Sequence, residues 1–373
     1  MSAQQSTGPA QAQAVTAPAV SAASAEAPAA AETPLTKLTA RLAEVTQKAG
    51  YNEMWGVELS PSSHAPTQVI LLKFLRANNN DVAAAEKQLA SALEWRKKMQ
   101  PTKLVTEAFD GKKFGDLGFV TVHKDAAGNE TVITWNIYGA VKDNKATFGN
   151  VEEFIRWRAA LMELGVQKLR LREIKEPLAE DAQDTYQMLQ VHDYLSVSFF
   201  RMDPAVKAAS KQTIETFSMA YPELLAHKYF VNVPAIMGWM FGVMKLFLAP
   251  TTLRKFHPMA SGATLSTELK SISSSLPKEY GGQGPSVKEG ETLKLITQES
   301  KTAETKVETA AAAVAAPAVA PVETKPVEPA AAKPAAVKAK SSVPDPPVAD
   351  EAIKDDSQVR AAPGETGNKE ATT

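Results

Sequence analysis

The chain has 373 residues, a formal net charge of −1 and no cysteine. The balanced charge gives no support to a nucleic-acid partner, and the lack of cysteine excludes disulfide bonds and thiolate metal sites and fits an intracellular protein. All aromatic residues fall between Tyr51 and Tyr280, whereas residues 1–33 and 293–373 are rich in alanine and proline. Such segments cannot bury enough apolar surface to fold, so we predict two disordered tails.

The first predicted elements are two helices and a hairpin. Residues 67–100 have the pattern of two helices separated by the turn "NNND", and Asp81 can accept a backbone N–H as the N-cap of the second helix. Residues 118–125 and 130–139 are predicted strands. The short turn "AAGN" between them indicates a β-hairpin.

A helix is predicted next, over residues 150–169. Asn150 is suited to be its N-cap, and Glu153 stands at the capping-box position. Arg158 follows Phe154 by four residues and therefore lies on the same, buried face. A buried cation costs free energy unless it is paired. Two interpretations remain open: the side chain reaches solvent at the helix edge, or it binds a ligand.

Strands and helices then alternate, which predicts an α/β fold with a mixed, mostly parallel sheet flanked by helices. The predicted strands are 186–195, 227–233 and 253–257, and the predicted helices are 204–220, opened by Asp203 and Pro204, 235–247 and 266–276. No glycine-rich nucleotide loop, nucleophile elbow or zinc-protease motif follows any of these strands. We therefore predict that the protein is not an enzyme.

The stretch "QVHDYLSVSFF", residues 190–200, places polar rings in an apolar strand. Side chains alternate along a strand, so His192 and Tyr194 project to one face and Asp193 to the other. Buried histidine and tyrosine residues are common in cores with satisfied polar atoms. The alternative is a ligand site on this face, and the strand pattern alone leaves both interpretations open.

The helix predicted at 235–247 is apolar nearly all round. The apolar region 229–244 is interrupted too often by asparagine, proline and glycine to span a membrane. No acidic residue occurs between Leu224 and Thr267, while Lys228, Arg254 and Lys255 are basic. The helix is either part of the core or a lid that enters the membrane interface beside anionic headgroups. We call five apolar residues of this helix the gate residues: Ile236, Trp239, Phe241, Met244 and Phe247.

Residues 221–258, "YPELLAHKYFVNVPAIMGWMFGVMKLFLAPTTLRKFHP", and the later "LPKEYGG" resemble the core of the CRAL-TRIO lipid-binding family. "ILLKFLRANNNDVAAAEKQLASALEWRK" is similar to the small N-terminal helical domain of that family. The resemblance implies a helical domain over residues 34–104 and a lipid-binding domain over residues 105–284. That domain would have a sheet floor, a deep apolar pocket and a mobile helical gate.

The resemblance also implies a lipid headgroup site. Phosphatidylinositol-transfer members bind the inositol phosphate with the Glu of "YPE" and a Lys near the following strand, which match Glu223 and Lys255. A carboxylate can accept from inositol hydroxyls, and an ammonium can pair with phosphate. Little phosphatidylcholine transfer is expected, because His192 and Tyr194 replace the small residues of choline-lipid-binding members.

The "HDY" motif resembles a fungal branch of the family whose members bind haem b. In that branch the Tyr is the axial ligand of ferric iron, which implies this role for Tyr194, with His192 beside it. A phenolate is a hard oxygen donor suited to ferric iron. The remaining haem contacts of the branch match Tyr138, Arg158 and Lys228. A haem propionate would pair Arg158, so the resemblance favours the ligand-site interpretation.

We therefore expect a carrier or sensor that binds phosphatidylinositol and haem without turnover. Two alternatives remain: a haem enzyme of peroxidase or catalase type, and a carrier of another hydrophobic ligand without haem. We expect a cytoplasmic protein that contacts the endoplasmic reticulum or other intracellular membranes transiently. No obligate protein partner is expected.

Overall fold

The computed structural model describes residues 32–61, 63–198, 203–234 and 253–296. The helices of this part are α1 (Pro34–Ala49), α2 (Ala65–Ala77), α3 (Val82–Met99), α4 (Pro101–Leu104), α5 (Gly111–Phe114), α6 (Asn144–Phe148), α7 (Val151–Lys168), α8 (Pro204–Ala220) and α9 (Leu265–Glu268). The strands are β1 (Glu53–Met54), β2 (Val57–Glu58), β3 (Ala108–Asp110), β4 (Gly118–Lys124), β5 (Glu130–Ile137), β6 (Met188–Asp193), β7 (Leu225–Val231), β8 (Phe256–Pro258) and β9 (Lys294–Ile296).

Three predicted helix starts are confirmed by their capping contacts. The side chains of Asp81, Asn150 and Asp203 accept hydrogen bonds of 2.8–3.1 Å from backbone N–H groups in the first turns of α3, α7 and α8. These bonds satisfy donors that have no partner inside the helix. The capping box predicted at α7 is only half formed, because the Glu153 carboxylate pairs with Lys113 Nζ at 2.6 Å.

The main sheet has five strands in the order β4-β5-β6-β7-β8. β4 and β5 form the antiparallel hairpin, and β5 to β8 run parallel to one another. The predicted mixed, mostly parallel sheet is therefore confirmed. β6 lies at its centre and all of its residues are buried, as expected for a strand that is covered on both faces.

Different elements cover the two faces of the sheet. On one face, Gly165 of α7 lies so close that a Cβ atom there would come within 2.6 Å of Thr134 Cγ2, so this glycine permits the close approach of helix and sheet. On the other face, the Tyr280 ring stacks on Trp135 with centroids 4.5 Å apart, beside buried Leu265 and Leu276.

All five predicted sheet strands have different limits in the structure. β4 and β5 end one and two residues earlier than predicted, and β6 starts at Met188 and not at 186. β6 ends at Asp193, so Tyr194 lies one residue beyond the strand that we predicted to continue to 195. The Asp193 side chain accepts from the Leu195 N–H at 2.8 Å, and Ser196 has a left-handed φ of 67°, which turns the chain. β7 starts and ends two residues earlier than the predicted 227–233. β8 covers Phe256–Pro258 and not 253–257.

The prediction of one helix over 266–276 is wrong. α9 stops at Glu268, and a single 3₁₀ turn follows at Lys270–Ile272. The hydroxyls of Ser273 and Ser275 donate to backbone carbonyls three residues earlier, at 3.0 Å each. Serine side chains that bond to the backbone in this way compete with a regular helix. The predicted helix at 235–247 lies outside the described residues.

The helical region and the sheet region share one core. A single cluster of buried apolar residues runs from Leu38 to Leu293. Within it, Arg96 at the end of α3 donates to Glu163 of α7 at 2.5 Å and to Glu53 at 2.7 Å. Breaking such a buried pair is strongly destabilising. The domain boundary between residues 104 and 105 stays a prediction about how the chain is organised.

The folded chain extends beyond the predicted end of the lipid-binding domain at residue 284. β9 pairs in parallel with β3, and Glu291 exchanges backbone hydrogen bonds with Val120 at 2.7 and 2.9 Å. Residues 293–296, which we assigned to the C-terminal tail, therefore belong to the folded part of the chain.

A chain that ends at residue 292 is expected to melt several degrees below a chain that ends at residue 296. Without β9, β3 loses its pairing partner, and the contact of Leu295 with the core is lost. We expect a cost of about 1–3 kcal/mol from these hydrogen bonds and apolar contacts. Circular dichroism melting of both truncations beside the full-length chain measures the difference. Equal melting temperatures would show that β9 adds nothing to stability.

Candidate functional site

The ring cluster, defined as Tyr138, His192, Tyr194 and Phe230, lies on the sheet face that α7 covers. The Tyr138 centroid is 5.3 Å from that of His192 and 5.5 Å from that of Tyr194, and Phe230 lies 5.6 Å from His192. Although Tyr194 follows the end of β6, its N–H still donates to the Val231 carbonyl at 3.1 Å. This bond extends the ladder, so His192 and Tyr194 share a face as predicted.

Two cations lie beside the ring cluster. Arg158 is only 3% exposed, so the interpretation in which it reaches solvent is wrong. Its guanidinium lies 5.3 Å from the Phe217 ring centroid, and Lys228 Nζ lies 5.5 Å from that of Phe256. Within the described ranges, neither cation forms an ion pair with a carboxylate, and Arg158 Nε has no hydrogen-bond partner.

The electrostatics of the cluster favour an anionic ligand. Burial, together with Arg158, lowers the pKa of Lys228 to about 8. Burial is also the main reason that the pKa of His192 lies well below its usual value, and Lys228 and Arg158 lower it further. The imidazole is therefore neutral, and its buried Nε2 has no partner in the part of the chain that the structure describes. Buried polar atoms without a partner are rare in native proteins, so this nitrogen is available to a ligand.

The environment of Tyr194 keeps its phenol protonated in the protein alone. Burial raises the pKa of Tyr194, and the neighbouring Tyr138 raises it further, while Arg158 opposes the shift. Only a strong positive charge brought by a ligand, such as a metal ion, would favour the phenolate in this place.

Replacing Lys228 by methionine is expected to stabilise the ligand-free protein at pH 7, because it removes a half-buried charge beside Arg158. The pKa of Lys228 is about 8 in the folded state and 10.5 in the reference state. The unfolded chain therefore binds more protons between these values, and the stability of the wild type rises with pH through this window.

The difference in unfolding free energy between variant and wild type should be at most about 3 kcal/mol near pH 7 and should shrink toward pH 10. Urea unfolding of both proteins at several pH values measures it. If the variant is no more stable than the wild type at pH 7, the inference that the charge of Lys228 is uncompensated is wrong.

Asp193, between the two ring residues, has a separate role on the opposite face. Its carboxylate accepts from Asn232 Nδ2 at 2.7 Å and from the Tyr280 hydroxyl at 2.8 Å, in addition to the Leu195 N–H. These bonds hold the end of β6 against β7 and the C-terminal segment, and so they fix the backbone that carries Tyr194. The sequence pattern predicted the face of Asp193 but not these partners.

The headgroup pair, Glu223 and Lys255, is an ion pair of 2.9 Å in the structure, and both side chains are half-buried. Glu223 lies before β7 and Lys255 before β8, whereas the ring cluster gathers where β5, β6 and β7 end. The strands run parallel, so the two groups lie toward opposite edges of the sheet. β7 and β8 connect them, and the Lys228 N–H donates to the Lys255 carbonyl at 2.7 Å.

The backbone of Glu223 is held in a left-handed conformation with φ 54°. This conformation is strained for a residue other than glycine and persists only where neighbours enforce it. The Glu223 carbonyl accepts from Lys73 Nζ at 3.1 Å and from Gln187 Nε2 at 3.0 Å. Lys73, on α2, is itself buried and pairs with Asp184 at 2.6 Å. Sequence reasoning missed it, although a lone lysine in the apolar run "VILLKFL" was a signal.

The gate residues predicted at 236–247 lie outside the described residues. Two clefts in the described residues have volumes of about 370 and 540 Å³ and are lined by residues between 43 and 64 and by Arg172. No residue of the ring cluster or the headgroup pair lines either of them. The deep apolar pocket therefore stays a prediction.

No helix in the described ranges is long and apolar enough to cross a bilayer. In the same ranges, no three histidine, aspartate or glutamate side chains come together as a metal site. A haem iron held by one tyrosine oxygen needs no such group of three.

Comparison with known families identifies the fold. The CRAL/TRIO domain matches residues 118–282, and the CRAL/TRIO N-terminal domain matches residues 34–91. Together the two matches span more than half of the chain, which therefore belongs to the CRAL/TRIO family. The resemblance found in the sequence is thus confirmed.

Named relatives narrow the comparison. The chain is 56% identical over 263 residues to phosphatidylinositol transfer protein sfh5 of Sclerotinia sclerotiorum, a match that covers 70% of this chain and 64% of the relative. It is 55% identical over 273 residues to the protein of the same name from Botryotinia fuckeliana, covering 72% of this chain and 62% of the relative. The chain thus spans slightly less than two thirds of these relatives. Their names denote transfer proteins and not enzymes, in agreement with our prediction.

A solved structure has the same fold. The crystal structure of Sfh5 superposes with a TM-score of 0.59 at 29% identity, over 74% of this chain and 96% of that one. The predicted α/β architecture with an N-terminal helical region is therefore that of a solved CRAL/TRIO relative.

Proposed function

We propose that the protein binds phosphatidylinositol and transfers it between membranes. The headgroup pair carries this proposal, because a carboxylate and an ammonium 2.9 Å apart can open to admit an inositol phosphate. The Glu223 carboxylate would accept from inositol hydroxyls, and Lys255 would donate to the phosphate. The names of the relatives support the same ligand. Transfer requires transient contact with a membrane surface, and we propose the cytoplasmic face of the endoplasmic reticulum.

We further infer that the ring cluster binds haem b. The observation that favours this second ligand is that, among the described residues, buried Arg158 and half-buried Lys228 have no carboxylate partner and lie beside the unpaired Nε2 of His192. A ligand with an apolar body and two carboxylates would neutralise Arg158 and Lys228. Haem b meets this description, and its ferric iron accepts a tyrosine oxygen as ligand. Tyr194 would supply that oxygen, while His192 and Tyr138 would contact the bound group.

Vesicle-to-vesicle transfer measures the first proposal. The full-length protein should move labelled phosphatidylinositol and show only weak transfer of phosphatidylcholine. Equal rates for both lipids would contradict a headgroup site of this chemistry.

The absorption spectrum of the purified protein measures the second proposal. Protein expressed with ample haem should be coloured and show a Soret band. A colourless protein that does not take up added haem would return the ring cluster to ordinary core and leave the lipid proposal untouched.

A further inference from the structure

His227 and His257 form a pair of imidazoles on the sheet face opposite the ring cluster. They lie on the neighbouring parallel strands β7 and β8, where His257 is in register with Tyr229. Diagonal neighbours on one face of a sheet are within reach of ring side chains. His227 Nδ1 lies 2.9 Å from His257 Nε2, with ring centroids 4.9 Å apart.

The pair is accessible and partly preorganised. Tyr229 stacks on the His257 ring at 4.8 Å with an interplanar angle of 22°, which restricts that ring. The His227 side chain is exposed to solvent. A ligand can therefore approach the pair from outside without disturbing the core.

Both imidazoles are in the form that binds metal ions. Partial desolvation of the ring lowers the pKa of His227, and His257 and Lys255 lower it further. Burial also lowers the pKa of His257, against the opposing effect of Glu268. Neutral imidazole is the commonest side-chain ligand of transition metals. Lys255 is already paired with Glu223, which reduces its repulsion of an added cation.

The two ring nitrogens lie close enough to bind one ion together. At metal–nitrogen distances of about 2.0–2.1 Å, ligands at 90° to each other lie about 2.9 Å apart, and tetrahedral ligands lie about 3.3 Å apart. The observed 2.9 Å is also an ordinary hydrogen-bond length between the rings, so it shows that both nitrogens can reach one ion and does not choose between these geometries. Among divalent first-row ions, Cu²⁺ binds nitrogen sites most tightly, so it is the preferred ion.

We propose that His227 and His257 form a two-imidazole binding site for a divalent transition cation, with Cu²⁺ as the preferred ion. The proton now shared between the rings moves to the outer nitrogen of its own ring, and a small rotation directs both lone pairs at the metal. In the described residues no third histidine or carboxylate completes the set, so water fills the other positions. The site is open and shares no residue with the two proposed ligand sites, although Lys255 of the headgroup pair lies near enough to His227 to lower its pKa.

Titration of the untagged, full-length protein with CuCl₂ tests the site, with binding followed by calorimetry and the ligands identified by electron paramagnetic resonance. The wild type should bind one tight equivalent with splitting from two nitrogens. His227→Ala should weaken that binding by about tenfold or more and leave one nitrogen. Because His227 is exposed, this variant should keep the melting temperature of the wild type.

His64→Ala is the matched control, since His64 is a histidine elsewhere that contacts Thr67. It should bind Cu²⁺ like the wild type. Unchanged binding in both His227→Ala and His257→Gln would overturn the proposal. So would loss of the tight equivalent in His64→Ala alone.

Discussion

Tyr194→Phe is expected to reduce haem occupancy by at least about tenfold, or to replace the tyrosinate spectrum by that of a different ligand. The substitution removes the donor oxygen and keeps the ring, so its contacts with Tyr138 and Phe230 remain and no large cavity forms. The ratio of Soret to protein absorbance measures occupancy, and the visible charge-transfer bands report the ligand. The free energy of unfolding of the haem-free variant should stay within about 1.5 kcal/mol of that of the wild type, which is the range for the loss of one hydrogen bond.

Variants of the neighbouring residues distinguish the residue that binds the iron from residues that only contact the haem. Tyr138→Phe removes a hydroxyl from the same cluster and should keep both haem and the tyrosinate bands. His192→Ala should retain part of the haem with a shifted spectrum, because a neighbouring group tunes the metal without holding it. Arg158→Ala should weaken retention with unchanged bands. If Tyr194→Phe keeps the wild-type spectrum while Tyr138→Phe loses it, the iron ligand has been assigned to the wrong tyrosine.

Lys255→Ala is expected to lower phosphatidylinositol transfer by about 10- to 100-fold, the equivalent of a charge-assisted hydrogen bond of about 1.5–3 kcal/mol. The substitution removes the phosphate partner and also leaves the Glu223 carboxylate without its ion pair. Haem absorbance should not change, because the headgroup pair and the ring cluster lie toward opposite edges of the sheet. Transfer of labelled lipid between vesicles is the measurement.

Arg254→Ala provides the matched control for Lys255→Ala. Arg254 is the adjacent cation and is exposed to solvent, so it contributes to membrane attraction without forming the ion pair with Glu223. Its loss should slow the transfer of every lipid by a similar, small factor. Comparable losses of phosphatidylinositol transfer in both variants would indicate a general surface charge effect and not a headgroup site.

Local signals in the sequence were sufficient for much of the fold. Asp81, Asn150 and Asp203 each precede a periodic apolar segment, and capping depends on only a few neighbouring residues. The central strand was predicted from the apolar residues around it, although Gln190, His192 and Asp193 within it are polar. By contrast, β9 pairs with β3 across a large separation in sequence, and no local pattern indicates such a contact. The serine-rich segment after Glu268 kept a helical pattern although its side chains compete for the backbone.

In the candidate site, too, local features could be predicted from the sequence and long-range contacts could not. The shared face of His192 and Tyr194 follows from the alternation of side chains along a strand, and the structure agrees with it. The environment of Arg158 could not be predicted, because whether a cation meets a carboxylate or only aromatic rings is decided by tertiary packing. The bonds of Asp193 to Asn232 and Tyr280 join residues far apart in the chain, so they too became visible only in the folded structure.

The contact of Lys73 with the carbonyl of Glu223 joins two stretches of chain that are matched as separate family domains. Glu223, whose backbone is left-handed, would lose this hydrogen bond from Lys73 if the domain that contains it were produced alone. Chimeras that exchange the N-terminal helices between relatives should therefore keep lipid selectivity only where the donor supplies a lysine at this position. The two stretches are thus expected to have been inherited together as a single recognition unit.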